Sequence, residues 1–258
     1  MGTASFVYAI GNIEPRFPSL SVEKEFAQAT GRADTGGLTD RKALRKVLSD
    51  RGNRYLVRQL CWVFTIEGLE TYLLLPRDPA DLDLLAEAVR DQPGPIDVDV
   101  LIGVRGPIAP PEICNGLMVP IVAFDQIYSF DRDSFIGSIP KQGDMEDDAY
   151  QAASEELFDR IMQLADNAGA TDEHRALNYL AVRYPQIYAR AAQAFQDNFS
   201  LTSVEVRPSR LSSTRKIVEV IFAFTDRETD FTEKYAVSVD VTEEFPFLVK
   251  KLSPYYDR

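Results

Sequence analysis

Histidine and cysteine, two residue types on which many covalent mechanisms depend, are scarce in this sequence. The chain has one histidine, His174, and two cysteines, Cys61 and Cys114. A Ser-His-Asp or Cys-His system would have to use that histidine, and neither cysteine lies in a recognisable nucleophile motif. The metal-binding spacings C-x-x-C and H-x-x-x-H are absent. We therefore assign no catalytic residue, no metal site and no cofactor from the sequence.

The two cysteines lie in different surroundings. Cys61 belongs to the apolar run Leu60–Phe64 and is expected to be buried. Cys114 belongs to the loop Pro110–Gly116 and is expected to be exposed. Unmatched surroundings do not suggest a disulfide. Because a thiol beside a helix N-terminus or a basic side chain becomes reactive, Cys114 is the candidate reactive thiol.

Two pairs of carboxylates have the spacing of acid–base partners. Glu243 and Glu244 are adjacent, and Asp97 and Asp99 are two residues apart in a predicted strand. Alternation along that strand places both aspartates on its exposed face. We therefore interpret Asp97 and Asp99 as solvated charges rather than as a catalytic pair.

A cluster of basic residues and an aromatic tail are the remaining candidates for a binding site. The formal net charge is −12, from 28 basic and 40 acidic residues, so four basic residues between two predicted strands stand out. They indicate either a solvated loop or a contact with an acidic peptide or another domain. The candidate peptide- or partner-binding residues are Arg207, Arg210, Arg215, Lys216, Tyr255 and Tyr256.

The segment ahead of the two tyrosines is predicted to form a short helix. Glu243 and Glu244 precede the apolar run Phe245–Val249, and two lysines follow it. This is the charge order that the helix dipole favours. We expect the apolar side chains of this helix to pack against the C-terminal domain.

Composition excludes several partners. A net charge of −12 argues against a nucleic-acid binder, which must neutralise phosphates. No apolar run approaches the roughly 18 residues of a membrane span, so we expect no membrane contact. The N-terminus lacks the basic and apolar pattern of a signal peptide, which makes the cytoplasm the expected location.

The order of the predicted elements indicates an α+β protein with two domains. In residues 1–140 a strand, helices, a hairpin, a helix and further strands follow one another, as in a split βαβ, or ferredoxin-like, sandwich. Such a sandwich leaves one sheet face free. In residues 141–258 a helical segment precedes a small antiparallel sheet, built on a hairpin with the arms Lys216–Phe224 and Glu233–Val241.

Three blocks of the sequence resemble a known protein family. They are Phe6–Gly11, Tyr55–Val63 and the C-terminal region from Arg175 to Arg258. They resemble the accessory region of cyanobactin maturation proteases of the PatG type, which accompanies a subtilisin-like protease and whose own function is not established. The protease part is missing here, and no catalytic residue is carried over. The resemblance implies a setting in the maturation of ribosomally synthesised peptides.

Two hypotheses of function follow. The first is a non-catalytic binding or scaffold protein that recognises a precursor peptide or a peptide-maturation enzyme. The second is a peptide-modifying enzyme that uses Cys114 or a carboxylate site which the sequence conceals. A homodimer formed through an edge strand is a further option, since small mixed sheets expose unpaired backbone groups.

Overall fold

A computed structural model describes residues 5–31, 41–90, 94, 97–138, 147–162, 166–209 and 214–256. The chain divides into two compact units, Met1–Asp131 and Arg132–Arg258. The domain boundary predicted at residue 140 falls in a stretch, 139–146, that lies outside the described residues.

Unit 1 combines long strands with short helices. The helices are α1 (Leu20–Ala29), α2 (Arg41–Ser49), α3 (Arg54–Gln59) and α4 (Leu82–Ala88). The strands are β1 (Ser5–Arg16), β2 (Cys61–Ile66), β3 (Leu69–Pro76), β4 (Asp97–Ile108) and β5 (Pro120–Asp131).

The strands of unit 1 close into a barrel in the order β1-β2-β3-β5-β4. β1 closes it, because its first part, Ser5–Gly11, pairs with β4 and its second part, Asn12–Arg16, pairs with β2. Among the described strands of the barrel, the pair β3 and β5 is parallel and the other pairs are antiparallel. The α+β class is confirmed. The ferredoxin-like sandwich is wrong, because β1 is long enough to pair with two strands, which closes the sheet.

Two glycines permit the close backbone contacts of the barrel. Gly11 is the residue at which β1 changes partner, and a Cβ there would overlap the carbonyl oxygen of Thr65. Gly103 lies at a shift of register between β4 and β5, where a Cβ would be 2.5 Å from the carbonyl oxygen of Ala123. Both positions need glycine because the neighbouring backbone occupies the space of a side chain.

A disulfide joins Cys61, at the start of β2, to Cys114, in the loop between β4 and β5. The two Cα atoms are 5.8 Å apart, within the range that a disulfide spans. Cys114 is 4% exposed and packs in an apolar cluster with Val63, Leu73 and Ala109. The expectation of an exposed, unpaired Cys114 is therefore wrong. The apolar cluster buries Cys114 within an otherwise exposed loop and brings its sulfur to Cys61, although nothing in the local sequence pairs the two.

Unit 2 has helices followed by an antiparallel sheet. The helices are α5 (Arg132–Ser138), α6 (Asp147–Met162), α7 (Asp172–Arg183) and α8 (Gln186–Gln196). The strands, in the sheet order β6-β7-β8-β9, are β6 (Phe199–Pro208), β7 (Ile217–Asp226), β8 (Thr232–Asp240) and β9 (Phe247–Tyr255). The predicted hairpin is confirmed as β7 and β8, which pair from Ile217 opposite Asp240 to Thr225 opposite Thr232.

A buried arginine holds the connection between β8 and β9. Arg175, on α7, is 2% exposed, and its Nη1 donates to the carbonyl oxygen of Val241 at 2.7 Å. Its Nη2 donates to the carbonyl oxygens of Glu243 and Glu244. These hydrogen bonds tie the connection between β8 and β9 to α7.

The predicted helix at Phe245–Val249 is wrong, because most of this segment belongs to a strand. The segment from Phe247 to Tyr255 is β9, which pairs with β8. Phe245, Phe247 and Val249 are exposed rather than buried. Charge order along the sequence favoured a helix, but the free edge of β8 and the Arg175 contacts stabilise a strand instead. Within the described part of the chain, no helix is long and apolar enough to cross a membrane.

We predict that loss of the disulfide destabilises unit 1. The bond closes a loop with a sequence separation of 53 residues, which corresponds to about 4 kcal/mol of chain entropy. A Cys61→Ser, Cys114→Ser double variant should lower the free energy of unfolding by roughly 2–4 kcal/mol. Denaturant unfolding monitored by Trp62 fluorescence measures the change.

Alkylation of the unfolded, unreduced wild-type protein is the control. We expect labelling of neither cysteine until a reductant is added. Full labelling of both cysteines without reductant would contradict the disulfide.

Candidate functional site

Arg207 and Tyr255 come together across the sheet of unit 2, although they belong to its two outermost strands. The guanidinium of Arg207 lies 5.1 Å from the centroid of the Tyr255 ring and donates to the tyrosine hydroxyl. It also donates to the carboxylate of Glu219, with Nε at 3.2 Å and Nη2 at 3.0 Å. The hydrogen bonds to Tyr255 and then Glu219 raise the pKa of Arg207. Arg207 and Tyr255, two of the predicted binding residues, thus belong to one hydrogen-bonded network.

The other predicted basic residues do not join this network. Arg215 pairs with Asp240 at 2.5 Å and lies 5.1 Å from the ring centroid of Phe247. Lys216 pairs with Asp172 at 3.0 Å. Arg210, the fourth basic residue of the predicted cluster, lies outside the described residues. Arg207, Arg215 and Lys216 each pair with a carboxylate of unit 2, so they do not make one free basic patch.

A groove with aromatic walls lies where β8 begins and β9 ends. Its volume is about 520 Å³, and we refer to it as the aromatic groove. Phe231 and Tyr256 are 61% and 79% exposed, so both rings stand largely in solvent. The residues that line the groove are Phe231, Thr232, Glu233, Lys234, Tyr235, Pro254, Tyr255 and Tyr256.

Contacts with α8 fix one wall of the aromatic groove. The guanidinium of Arg190 lies 4.1 Å from the ring centroid of Tyr235 and pairs with Glu233 at 2.9 Å. The Tyr235 hydroxyl donates to the same carboxylate at 3.1 Å. Burial raises the pKa of Tyr235, which keeps its hydroxyl protonated as a donor. The groove therefore combines a rigid wall with two exposed rings.

Sequence reasoning found the two tyrosines of the groove but missed Phe231 and Tyr235. Phe231 follows the polar turn between β7 and β8, and an apolar ring beside such a turn was the available signal. In the sequence, Tyr235 shares the alternating face of β8 with Val237 and Val239, so it looked like an ordinary core position.

Asp97 and Asp99 are buried, which corrects their assignment as solvated charges. They are 9% and 1% exposed. The Oδ2 atom of Asp99 accepts from the backbone N–H of Ile13 at 2.8 Å, and Arg90 lies 3.6 Å from each carboxylate. Ile13 follows the point where β1 leaves β4, so its N–H needs an acceptor that β4 no longer supplies. The carboxylate of Asp99 supplies this acceptor, which explains why a strand carries a buried charge.

The electrostatics of Asp99 follow from its burial. Desolvation raises its pKa, while the Ser129 hydroxyl, the Ile13 N–H and Arg90 act in the opposite direction. A cavity of about 210 Å³ adjoins the carboxylate and is lined in part by Asn12, Arg41 and Arg90. Asp99 thus acts first as a structural acceptor within the barrel.

The remaining candidates for chemistry are His174, Glu243 and Glu244. Burial lowers the pKa of His174, which leaves the ring neutral near pH 7. Glu243 and Glu244 contribute backbone carbonyls to Arg175. Among the described residues, no cluster of three or more His, Cys, Asp or Glu side chains could hold a metal ion.

We predict that Asp99→Asn weakens the pH dependence of stability. Because the folded-state pKa of Asp99 is raised, its charge destabilises the fold above that pKa and stability recovers as the pH falls through it. Asparagine keeps an acceptor for Ile13 but carries no charge. The free energy of unfolding of the wild type should therefore rise relative to that of Asp99→Asn as the pH falls from 7 toward the ordinary aspartate range.

Chemical unfolding at several pH values measures this difference. Asp99→Ala is the matched comparison, since it also removes the acceptor and should cost about 1–3 kcal/mol for an unpaired buried N–H. A difference between wild type and Asp99→Asn that does not change with pH would contradict the raised pKa.

Comparisons with known proteins give one family and one fold. Residues 144–255 match the family model described as PatG C-terminal. A solved structure titled "PatG Domain of Unknown Function" matches with a TM-score of 0.80 at 20% sequence identity, and the match covers 97% of this chain and 98% of the other. No curated protein matches the chain. The resemblance seen in the sequence is thus confirmed: residues 144–255 match the PatG C-terminal family model, and 97% of the chain shares the fold of the structure titled "PatG Domain of Unknown Function".

Proposed function

We propose that this chain is a non-catalytic binding protein in the maturation of ribosomally synthesised peptides, and that it recognises a precursor peptide. The PatG match is consistent with a cyanobactin-maturation setting. The observation that carries the proposal is the aromatic groove, where Tyr255 and Tyr256 meet Phe231.

The aromatic groove has the composition of a peptide-binding site. Exposed aromatic rings bury a large apolar area at a low cost in conformational entropy, and they are enriched where proteins bind partners. Glu233 and Lys234 supply both signs of charge beside the rings. A volume of about 520 Å³ suits a few side chains of a peptide. A maturation enzyme would instead need a face of roughly 800 Å².

The two candidate sites of the enzyme hypothesis, Cys114 and the carboxylate pair, favour binding over catalysis. Cys114 is held in a disulfide and has no thiol with which to attack a peptide. Asp97 and Asp99 flank Arg90 and hold the backbone of the barrel together. An acid–base pair needs carboxylates that reach a substrate, and these two are buried.

We predict that removing the exposed rings of the groove weakens peptide binding. A Phe231→Ala, Tyr256→Ala double variant should bind the precursor peptide encoded beside the gene at least about tenfold more weakly, since aromatic hot spots contribute 1–2 kcal/mol or more. Isothermal titration calorimetry of the full chain measures the dissociation constant.

Tyr55→Ala is the matched control, because Tyr55 is also an exposed tyrosine but belongs to unit 1. We expect it to change the affinity less than about twofold. Equal losses in both variants, or no binding by the wild type below about 100 μM, would refute recognition through the groove.

A further inference from the structure

The sheet of unit 2 ends in two strands, β6 and β9, whose outer backbone groups differ. An edge strand exposes a row of N–H and C=O groups to which another strand can add, and proteins protect edges with lysine, proline and bulges. β9 carries all of these protections, whereas β6 carries a register shift and a proline only on either side of residues 203–207.

β9 is a protected edge. Two shifts of register interrupt its pairing with β8, and Lys250 and Lys251 are exposed along it. Pro254 has no N–H to offer. The N–H of Leu252 already donates to the hydroxyl of Tyr184 at 3.0 Å. An incoming strand would find few usable donors here.

β6 is regular over its second half. Residues 203–208 pair with β7 in continuous register, after a single shift between Leu201 and Ser203. In that half only Pro208, the last residue, lacks an N–H. Among the residues that the structure describes, β7 is the only backbone partner of this half. The side chains of Ser203 and Glu205 are exposed.

The direction of the outward groups follows from one hydrogen bond. The N–H of Ser209 donates to the carbonyl oxygen of Ile217 at 2.7 Å, so Ser209 points toward β7. The backbone N–H and C=O groups of successive residues in an antiparallel strand face opposite sides. Those of Arg207 and Glu205 therefore face β7, as those of Ser209 do. The backbone groups of Val204 and Val206 therefore point away from the sheet. They can bind an added strand without any loss from the β6–β7 ladder.

Charge at this edge indicates which peptide fits. Arg207 is held by Glu219 at 3.0 Å and lies 3.7 Å from Glu205. Glu205 has no closer ion pair among the described residues. A residue opposite Glu205 would be in a non-hydrogen-bonded pair, where facing side chains are closest. A basic side chain is favoured at that position, with β-branched residues opposite the two valines.

We propose that the outer edge of β6, at Val204–Val206, binds an extended peptide as an added antiparallel strand with a basic residue opposite Glu205. This inference rests on the proposed function and goes beyond it, because it names a second contact at the opposite edge of the sheet and the kind of peptide segment that binds there. Strand addition takes its affinity from main-chain hydrogen bonds and its specificity from alternate side chains.

Two capped synthetic peptides, Thr-Val-Lys-Val-Thr and Thr-Val-Glu-Val-Thr, test the proposal on the full chain. We expect the lysine peptide to bind roughly two- to fivefold more tightly, by the strength of one cross-strand charge pair. Glu205→Lys should reverse this preference. Nuclear magnetic resonance titration reports both the affinities and the residues whose signals shift.

Val206→Pro tests the backbone contribution. Proline removes an outward N–H but none that donates to β7, and we expect it to reduce binding of the lysine peptide at least about tenfold. Thermal unfolding checks that the variant folds, and Glu205→Lys tests the same edge without proline. Binding that is unchanged in Val206→Pro, or a peptide preference that Glu205→Lys does not reverse, would overturn the proposal.

These variants distinguish a failure of binding at the β6 edge from a failure of binding in the aromatic groove. A precursor peptide that loses affinity in the Phe231→Ala, Tyr256→Ala variant but not in Val206→Pro would support the aromatic groove and refute the β6 edge. If neither synthetic peptide binds and Val206→Pro converts a dimer to a monomer, the edge holds a second copy of the chain, and the peptide proposal is wrong.

Discussion

Backbone polar groups that leave water must find partners, and this requirement accounts for the most unusual side chains of the protein. β1 divides its hydrogen bonds between β4 and β2, and the division leaves the N–H of Ile13 beyond the end of its ladder with β4. Asp99 supplies the acceptor. In unit 2 the carbonyls between β8 and β9 have left both ladders, and Arg175 supplies the donors. Both of these buried charges bind backbone groups where a strand changes or loses its partner.

The same requirement explains why buried charges in this chain are poor evidence of catalysis. Arg90 donates to the carbonyl oxygens of Val98 and Phe130 as well as lying near Asp97 and Asp99. A charge that binds backbone groups on two strands stabilises the fold, and moving it during a reaction would leave those groups without their donor. The two binding sites that we propose, the aromatic groove and the outer edge of β6, both lie at the surface.

The disulfide bears on the expected location of the protein. Disulfides persist in oxidising compartments and are rare in the cytosol of most organisms. The pairing of Cys61 with Cys114 is therefore at odds with the cytoplasmic location expected from the N-terminal sequence, which stays a prediction. The apolar cluster around the two sulfurs protects the bond from reductants and thiols in solution.

Sequence patterns by themselves determined the α+β class, the hairpin of β7 and β8, and the resemblance to PatG, because each depends on local periodicity or on residue identity. Tyr255 and Tyr256 were also found in this way, since an aromatic chain end is visible in the sequence.

Tertiary structure decided the barrel, the strand β9, the disulfide and the burial of Asp97 and Asp99. In each case a partner distant in sequence reversed the local preference. β1 pairs with a strand more than eighty residues away, and β8 pairs with a segment whose charges favoured a helix. Cys114 reaches a sulfur 53 residues distant. Local patterns carry no record of such partners, because the free energy that selects them comes from contacts that only the folded chain makes.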